Sequence, residues 1–330
     1  MRRKIFLYDV TLLLLTVLLS SCSAEQTGEV VETQAQLGDA VEFTSNFGRG
    51  ATRAAPLDDM WFLDAQVSIC DAVSQTVMPY KVVSIGTDGT ASLASTATSP
   101  NSTNTFYWGA LDVSRTFRGW YPYSASLSGS ISVSANQSTL SADAYQNQDI
   151  LYAPDVVAPY KSLAELHFYH QLCRVVVTVN SSTTENSKPV TAITLGSGNI
   201  SLSGTISTWG ATGTSATGTA TVWNVSPGSS NIVLRQTGRD DTNCIYTFEC
   251  LLPPQSGGST ETALFNITTT EGSNQKTSQY KDTYNFQAGR RYQYNLVLSA
   301  QGALNVTTVQ VTDWATESLG NIVADVPIGY

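Results

Sequence analysis

Short runs rich in β-branched and aromatic residues, some of them with apolar residues on every second position, recur along this chain, and clusters of Gly, Ser and Asn separate each run from the next. A period of two belongs to strands with one buried face, and no packing of helices satisfies it. Residues 66–70, 77–85, 105–111, 116–121 and 130–135 read as strands in the first half. Residues 192–195, 219–225, 230–235, 245–251, 263–269, 291–299 and 305–311 read as strands in the second half. Turn chemistry sits between them, notably at 238–243 and 253–258, and no amphipathic helix stands out. Charged residues make up only 13% of the 330 residues, which suits sheet faces and turns better than salt-bridged helices. The spacing predicts an all-β chain long enough for two sandwich-sized domains.

The domains are expected over 41–160 and 161–330. The second opens near Ser162, where Leu166 to Leu172 runs into Val175 to Val179 as a central strand buried on both faces. Residues 1–21 have the layout of an export signal: Arg2, Arg3 and Lys4, then an apolar stretch from Val10 to Leu19 too short to span a bilayer. Leu19-Ser20-Ser21-Cys22 resembles a lipobox, so Cys22 is the expected acylated first residue of the processed chain, with 22–40 as a polar tether. Loss of three cations and Asp9 with the signal takes the formal charge from −9 to −11, and so acidic a surface disfavours nucleic acid.

The chemistry of catalysis and metal binding is sparse. No G-x-S-x-G elbow, P-loop or G-x-G-x-x-G occurs, and no cysteine spacing suits a metal. The two histidines, His167 and His170, lie three apart on one expected strand and so face opposite sides, which argues against a shared zinc. Asp58-Asp59 and Asp240-Asp241 fall in expected turns, where Asp serves local hydrogen bonding; a hydrolase would need one of them to meet another acid in a cleft. Neither a metal nor a cofactor is expected, nor an enzyme. Cys70, Cys173, Cys244 and Cys250 read as buried thiols, with a Cys70–Cys173 disulfide left open. Trp120-Tyr121-Pro122-Tyr123 is the densest aromatic cluster, usable for core packing or for stacking on sugar rings.

Two alternating segments stand near the ends. Val41, Phe43 and Phe47 alternate with polar residues immediately before a loop over 48–59 that holds Arg49 and Arg53 and is exposed enough to be cut. Ile322, Ala324, Val326, Ile328 and Tyr330 form a second stripe at the C-terminus. Pro327 between them donates no amide, so the segment suits an edge strand or a strand lent to a partner.

Several motifs, taken in order, resemble the fimbrillin family of Bacteroidetes surface lipoproteins. They are Phe43 with Thr52-Arg53-Ala54 and Trp61, then Trp120 to Tyr123, Gln148 to Ala153 with Leu166 to Leu172, Gly289 to Leu296, and Val311-Thr312-Asp313-Trp314. The resemblance implies two tandem transthyretin-like Greek-key β-sandwich domains. It implies too that a protease cuts at Arg49 or Arg53, removes the strand of Val41, Phe43 and Phe47, and lets another subunit's terminal segment fill the groove. Residues 319–330 are then the expected donor strand. The expected partners are other fimbrial subunits, the outer membrane through lipid on Cys22, and a host or bacterial surface ligand. Two alternatives stay open: a lipid-anchored glycan-binding protein, and a C-terminal stripe that completes its own domain as an edge strand.

Overall fold

The computed structural model describes residues 38–47, 61–97, 104–181, 189–213, 216–271, 273–299 and 302–314. Among them the chain is all-β, with one short helix. The first five strands are β1 (Phe43–Phe47), β2 (Gln66–Asp71), β3 (Val77–Ile85), β4 (Ala91–Ser95) and β5 (Ser114–Tyr121). A connection holding β6 (Ser130–Ser132) and the helix α1 (Ala142–Gln146) leads to β7 (Leu151–Pro159) and β8 (Ala164–His170). Seven of these close a barrel in the order β1-β4-β3-β2-β5-β7-β8, with β8 returning to β1. Val67, Ile69, Val82, Phe117, Leu166 and Phe168 fill it and are fully buried. Gly119 sits where a Cβ would lie 2.9 Å from the ring of Phe168, so the absence of a side chain there lets the ring pack.

The second unit contains β9 (Cys173–Asn180), β10 (Val190–Ile200), β11 (Ser203–Thr208), β12 (Val222–Val225), β13 (Ser230–Val233) and β14 (Arg235–Asp240). It continues with β15 (Ile245–Leu252), β16 (Gln255–Glu271), β17 (Asn274–Phe286), β18 (Arg290–Leu298) and β19 (Leu304–Asp313). One sheet runs β13-β10-β16-β17 and another β14-β15-β9-β18-β19. Val175, Val177 and Val179 of β9 share one apolar cluster with Ile193, Leu195, Phe265 and Ile267 of the other sheet. A core between two facing sheets is the layer arrangement of a sandwich.

The connection between β5 and β7 fastens the two units together. β6 pairs with β11 of the second unit, and Ile131, Val133 and Tyr145 are buried in the second core. Gln137 is fully buried: its amide nitrogen donates to the Leu251 carbonyl at 2.7 Å and its oxygen accepts the Leu251 amide at 2.9 Å. Ser141 caps α1 by accepting the Ala144 amide at 3.2 Å.

Three expectations change. The run from Leu166 is not a second-domain strand, because β8 pairs with β7 and β1 in the barrel. Its burial alternates, with Leu166 and Phe168 inward and Glu165 and His167 outward; burial on both faces belongs to β9, past Gln171 and Leu172. Residues 105–111 hold only a single bridge, Ala40 to Tyr107, because the Asp112 carboxylate accepts the Gly109 amide at 2.7 Å and turns the chain. The expected strand at 263–269 belongs to the 17-residue β16, whose first half is wholly polar or Gly, from Gln255 to Thr262, and carries no apolar signal.

All four described cysteines are free and buried. Cys70 belongs to a small cluster beside the barrel with Trp120 and Tyr152, and Cys173 to the second core, so no disulfide joins them. Burial pushes the thiols of Cys173, Cys250 and Cys70 up, and a thiol is a poor nucleophile compared with its thiolate. In Ellman titration of protein carrying Cys22→Ser, the native chain should release almost no colour over minutes, and the unfolded chain should titrate all four thiols.

Candidate functional site

β1 is five residues long, yet the barrel closes through it. It lies antiparallel to β4, with Phe43 opposite Leu93 and Ser45 opposite Ala91. On its other side it runs parallel to β8, from Phe43 opposite Ala164 to Phe47 opposite Phe168. Flanking bonds extend the grip. The Val41 amide donates to Phe106 O, the Trp108 amide to Asp39 O and the Ala164 amide to Glu42 O, each at 2.9 Å.

The alternation read in the sequence is the one that faces the core. Val41, Phe43 and Ser45 are buried, and Phe47 is half-buried. The ring of Phe43 meets Tyr80 at 5.0 Å, Phe117 at 4.9 Å and Phe106 at 6.3 Å, all near edge-to-face. Burial pushes the Tyr80 phenol up to about 12, although the Phe106 amide it accepts works in the opposite direction. Outside the barrel, Asn46 donates to Glu165 at 2.9 Å and lies 2.6 Å from His167 Nδ1.

β1 ends at the junction of the two units. Phe47 stacks on His170 with centroids 5.4 Å apart, and His170 stacks on Trp314 at 4.0 Å. Trp61 packs against Phe47 at 5.0 Å and edge-on against Phe168 and Tyr121. His170 Nδ1 lies 2.8 Å from Asp149 Oδ2, and the Trp314 amide donates to Gly289 O at 2.8 Å. Phe47, Trp61, Tyr121, His170 and Trp314 border a cleft of about 120 Å³ that also receives Arg174, Arg235 and Glu249. Arg174 and Glu249 form a buried ion pair, with Nε 3.1 Å from Oε2, and Arg235 reaches the same carboxylate at 3.5 Å.

The site residues read from the sequence are placed unevenly. Val41, Phe43 and Phe47 come together on the inner face around β1. Cys22, Arg49, Arg53, Ile322, Ala324, Val326, Ile328 and Tyr330 lie outside the described residues, as do Asp58 and Asp59. His167 is exposed and His170 buried, on opposite faces of β8. Asp240 accepts the amides of Thr242 and Asn243, and Asp241 holds Arg239 and the Tyr246 hydroxyl, so both serve a turn. Trp120 and Tyr121 are buried and Tyr123 is partly exposed, so most of the aromatic cluster goes to packing. Sequence reasoning missed the stack through His170 and Trp314; those residues lie 144 apart, and only the meeting of β8 with the end of β19 joins them.

A model of the fimbrillin-like family matches residues 52–314. The chain belongs to the fimbrillin-like family. Solved structures agree in fold with this family member. A candidate cell adhesion protein of Bacteroides ovatus is 16% identical, with TM-score 0.60 over 85% of this chain and 99% of that one. A candidate cell adhesion protein of Bacteroides uniformis is 18% identical, with TM-score 0.56 over 83% and 98%. No curated protein sequence matches the chain.

Two measurements check the packing of this fimbrillin-like barrel. Phe43→Ala should lower unfolding free energy in urea by about 3–5 kcal/mol, whereas Glu42→Ala, at an exposed position, should change it by less than about 0.5 kcal/mol. A double-mutant cycle between Phe47→Ala and His170→Ala should give a coupling of about 0.5–1.5 kcal/mol. Strict additivity would mean that the rings touch without cooperating.

Proposed function

We propose that the chain is a structural or adhesive subunit of a bacterial surface fimbria, exported as a lipoprotein and assembled by strand exchange after proteolysis. Family membership supports the fimbrial role. The observation that carries the mechanism is the seat of β1 between β4 and β8, directly before the segment holding Arg49 and Arg53. Loss of β1 would leave the amides and carbonyls of β4 and β8 unpaired beside an apolar slot vacated by Phe43. An alternating strand from another copy answers both needs, with main-chain bonds for affinity and alternate side chains for the slot. Ile322, Ala324, Val326, Ile328 and Tyr330 supply such a stripe, and burying them contributes, at roughly 1–3 kcal/mol each, on the order of 10 kcal/mol before ordering costs.

In this reading residues 1–21 are the signal, Cys22 takes the lipid that holds the protein at the outer membrane, and 22–40 is the tether. Cutting at Arg49 or Arg53 discards the anchor and the first strand together. The tandem transthyretin-like arrangement belongs to the same proposal and is supported by the two separate large cores, with the boundary past β8, near Gln171, instead of at 160/161. Residues 319–330 are the donor strand. Other fimbrial subunits are the partners, together with a host or bacterial surface ligand.

Limited trypsin treatment, followed by size-exclusion chromatography and electron microscopy, tests the scheme. Nicked protein should shift from monomer to filaments or large oligomers, and nicked Val326→Asp should stay monomeric. Persistent monomers after clean removal of β1 would sink the strand-exchange mechanism, and polymers formed equally well by Val326→Asp would sink the assignment of the donor.

A further inference from the structure

The barrel has two poles. β1 starts at one and ends at the other, where Phe47 meets the second unit through His170 and Trp314. The strand directions gather four segments at the starting pole: residues 38–42, the turn 72–76, residues 104–113 and the turn 160–163. Main-chain bonds tie them together. The Trp108 amide donates to Asp39 O at 2.9 Å, the Tyr160 amide to Val113 O at 2.8 Å and the Ala72 amide to Thr116 O at 2.8 Å.

Among the described residues, the three most exposed large apolar side chains all lie at this pole: Leu111 at 95%, Val73 at 85% and Val113 at 82%. Leu163 and Tyr160 are exposed beside them, and the Tyr160 ring stands edge-on to Trp108 at 5.6 Å. Single exposed apolar residues are ordinary, whereas their gathering at one end of a molecule marks a contact surface. Charge narrows the kind of contact. Lys161 pairs with Asp39 at 2.6 Å, and Arg115 pairs with Asp71 while donating to the Tyr107 carbonyl at 2.7 Å, so local acids occupy both cations. Glu42, also exposed here, adds negative charge. The pole thus offers an anionic partner no attraction, and what it binds must be met through apolar side chains.

The course of the chain selects the partner. The polypeptide enters the barrel at this pole, and Cys22 lies 16 residues before Gly38. That length of chain reaches at most about 55 Å, even fully extended. An acyl group on Cys22 therefore keeps this pole within a short distance of a bilayer, and such tethering populates a contact too weak to form between free molecules. A separate protein partner has no comparable advantage.

We propose that this pole is a membrane-docking surface: Leu111, Val113, Val73 and Leu163 dip among the lipid headgroups of the bilayer that holds the anchor, with Tyr160 at headgroup level. The inference rests on the lipoprotein reading above. Docked in this way, the barrel turns Phe47, two residues before Arg49, away from the membrane, the side from which a soluble protease approaches.

The test uses the processed chain carrying Cys22→Ser, with a hexahistidine segment at its start, held on phosphatidylcholine vesicles that contain nickel-chelating lipid. The tether then leads from bilayer to barrel whether or not cells acylate the protein. Because the described native thiols are buried, a reporter cysteine takes an environment-sensitive fluorophore selectively. It is placed at Leu111→Cys or, as the comparison in the exposed turn at the other pole, at Thr87→Cys. The label at 111 should shift to shorter wavelength and be quenched by nitroxide-bearing lipid, the label at 87 should do neither, and added salt should change neither result. With the label at Leu163→Cys, Leu111→Asp together with Val113→Asp should lower the docked-to-free ratio about 10-fold or more. Both positions are exposed, so the urea midpoint should stay unchanged. An unshifted label at 111, equal shifts at 111 and 87, or a shift that follows protein concentration in the absence of vesicles would each overturn the docking surface. The mass of the Cys22 peptide from cells tests the anchor separately: an unmodified thiol would overturn the lipoprotein reading, whereas a failed shift on the nickel vesicles overturns only the docked pole.

Discussion

The first unit depends on the main-chain pairing of a single short strand. Five residues, Phe43 to Phe47, stand between β4 and β8 and convert an open sheet into a closed barrel. Closure removes both edges, and an edge is what makes a β-protein prone to pair with other chains. The side chain of Phe43 then completes the core by meeting Tyr80, Phe106 and Phe117. Were β1 removed, as the proposed strand exchange requires, the facing edges of β4 and β8 would be free to pair with another chain. Contacts within the other six strands do not depend on β1, so its loss would expose a slot while leaving most of the barrel's pairing intact.

The second unit does more than extend the first. The β5–β7 connection crosses over, contributes Ile131, Val133 and Tyr145 to the second core, and is fixed there by the two hydrogen bonds between Gln137 and Leu251. The stack from Phe47 through His170 to Trp314 joins the end of β1 to the end of β19 at the same junction. Two units tied only by a linker would pivot, and this joint holds them together. The buried pair of Arg174 and Glu249 sits beside the stack and fixes the geometry of the cleft, since either charge left alone there would be expensive.

Much of the fold was legible because strand chemistry is local. Residues 77–85 have the bounds of β3, and the alternation of Val41, Phe43 and Phe47 marked the inner face around β1. Reading failed where local signals merge or are missing. Leu166 to Val179 reads as one apolar run, although Gln171 divides it into strands of two different sheets. The first half of β16 is polar and Gly-rich, so its strand character comes from its partner β17 and not from its own side chains. Phe47 was visible as a strand residue, but nothing near it in the chain announced that its ring would meet His170.

By itself, then, the sequence determined the class of structure, the identity of β1 and the scarcity of catalytic chemistry, because each follows from residue type and spacing over a few positions. Which strands are neighbours was decided only by the tertiary structure. The sequence cannot say that β1 lies parallel to a strand more than a hundred residues away and antiparallel to β4, because register comes from the whole barrel closing around one volume. The cleft has the same origin. Trp61, Asp149, His170 and Trp314 have no sequence relation, and they line one cleft only because two separately packed cores meet along that line.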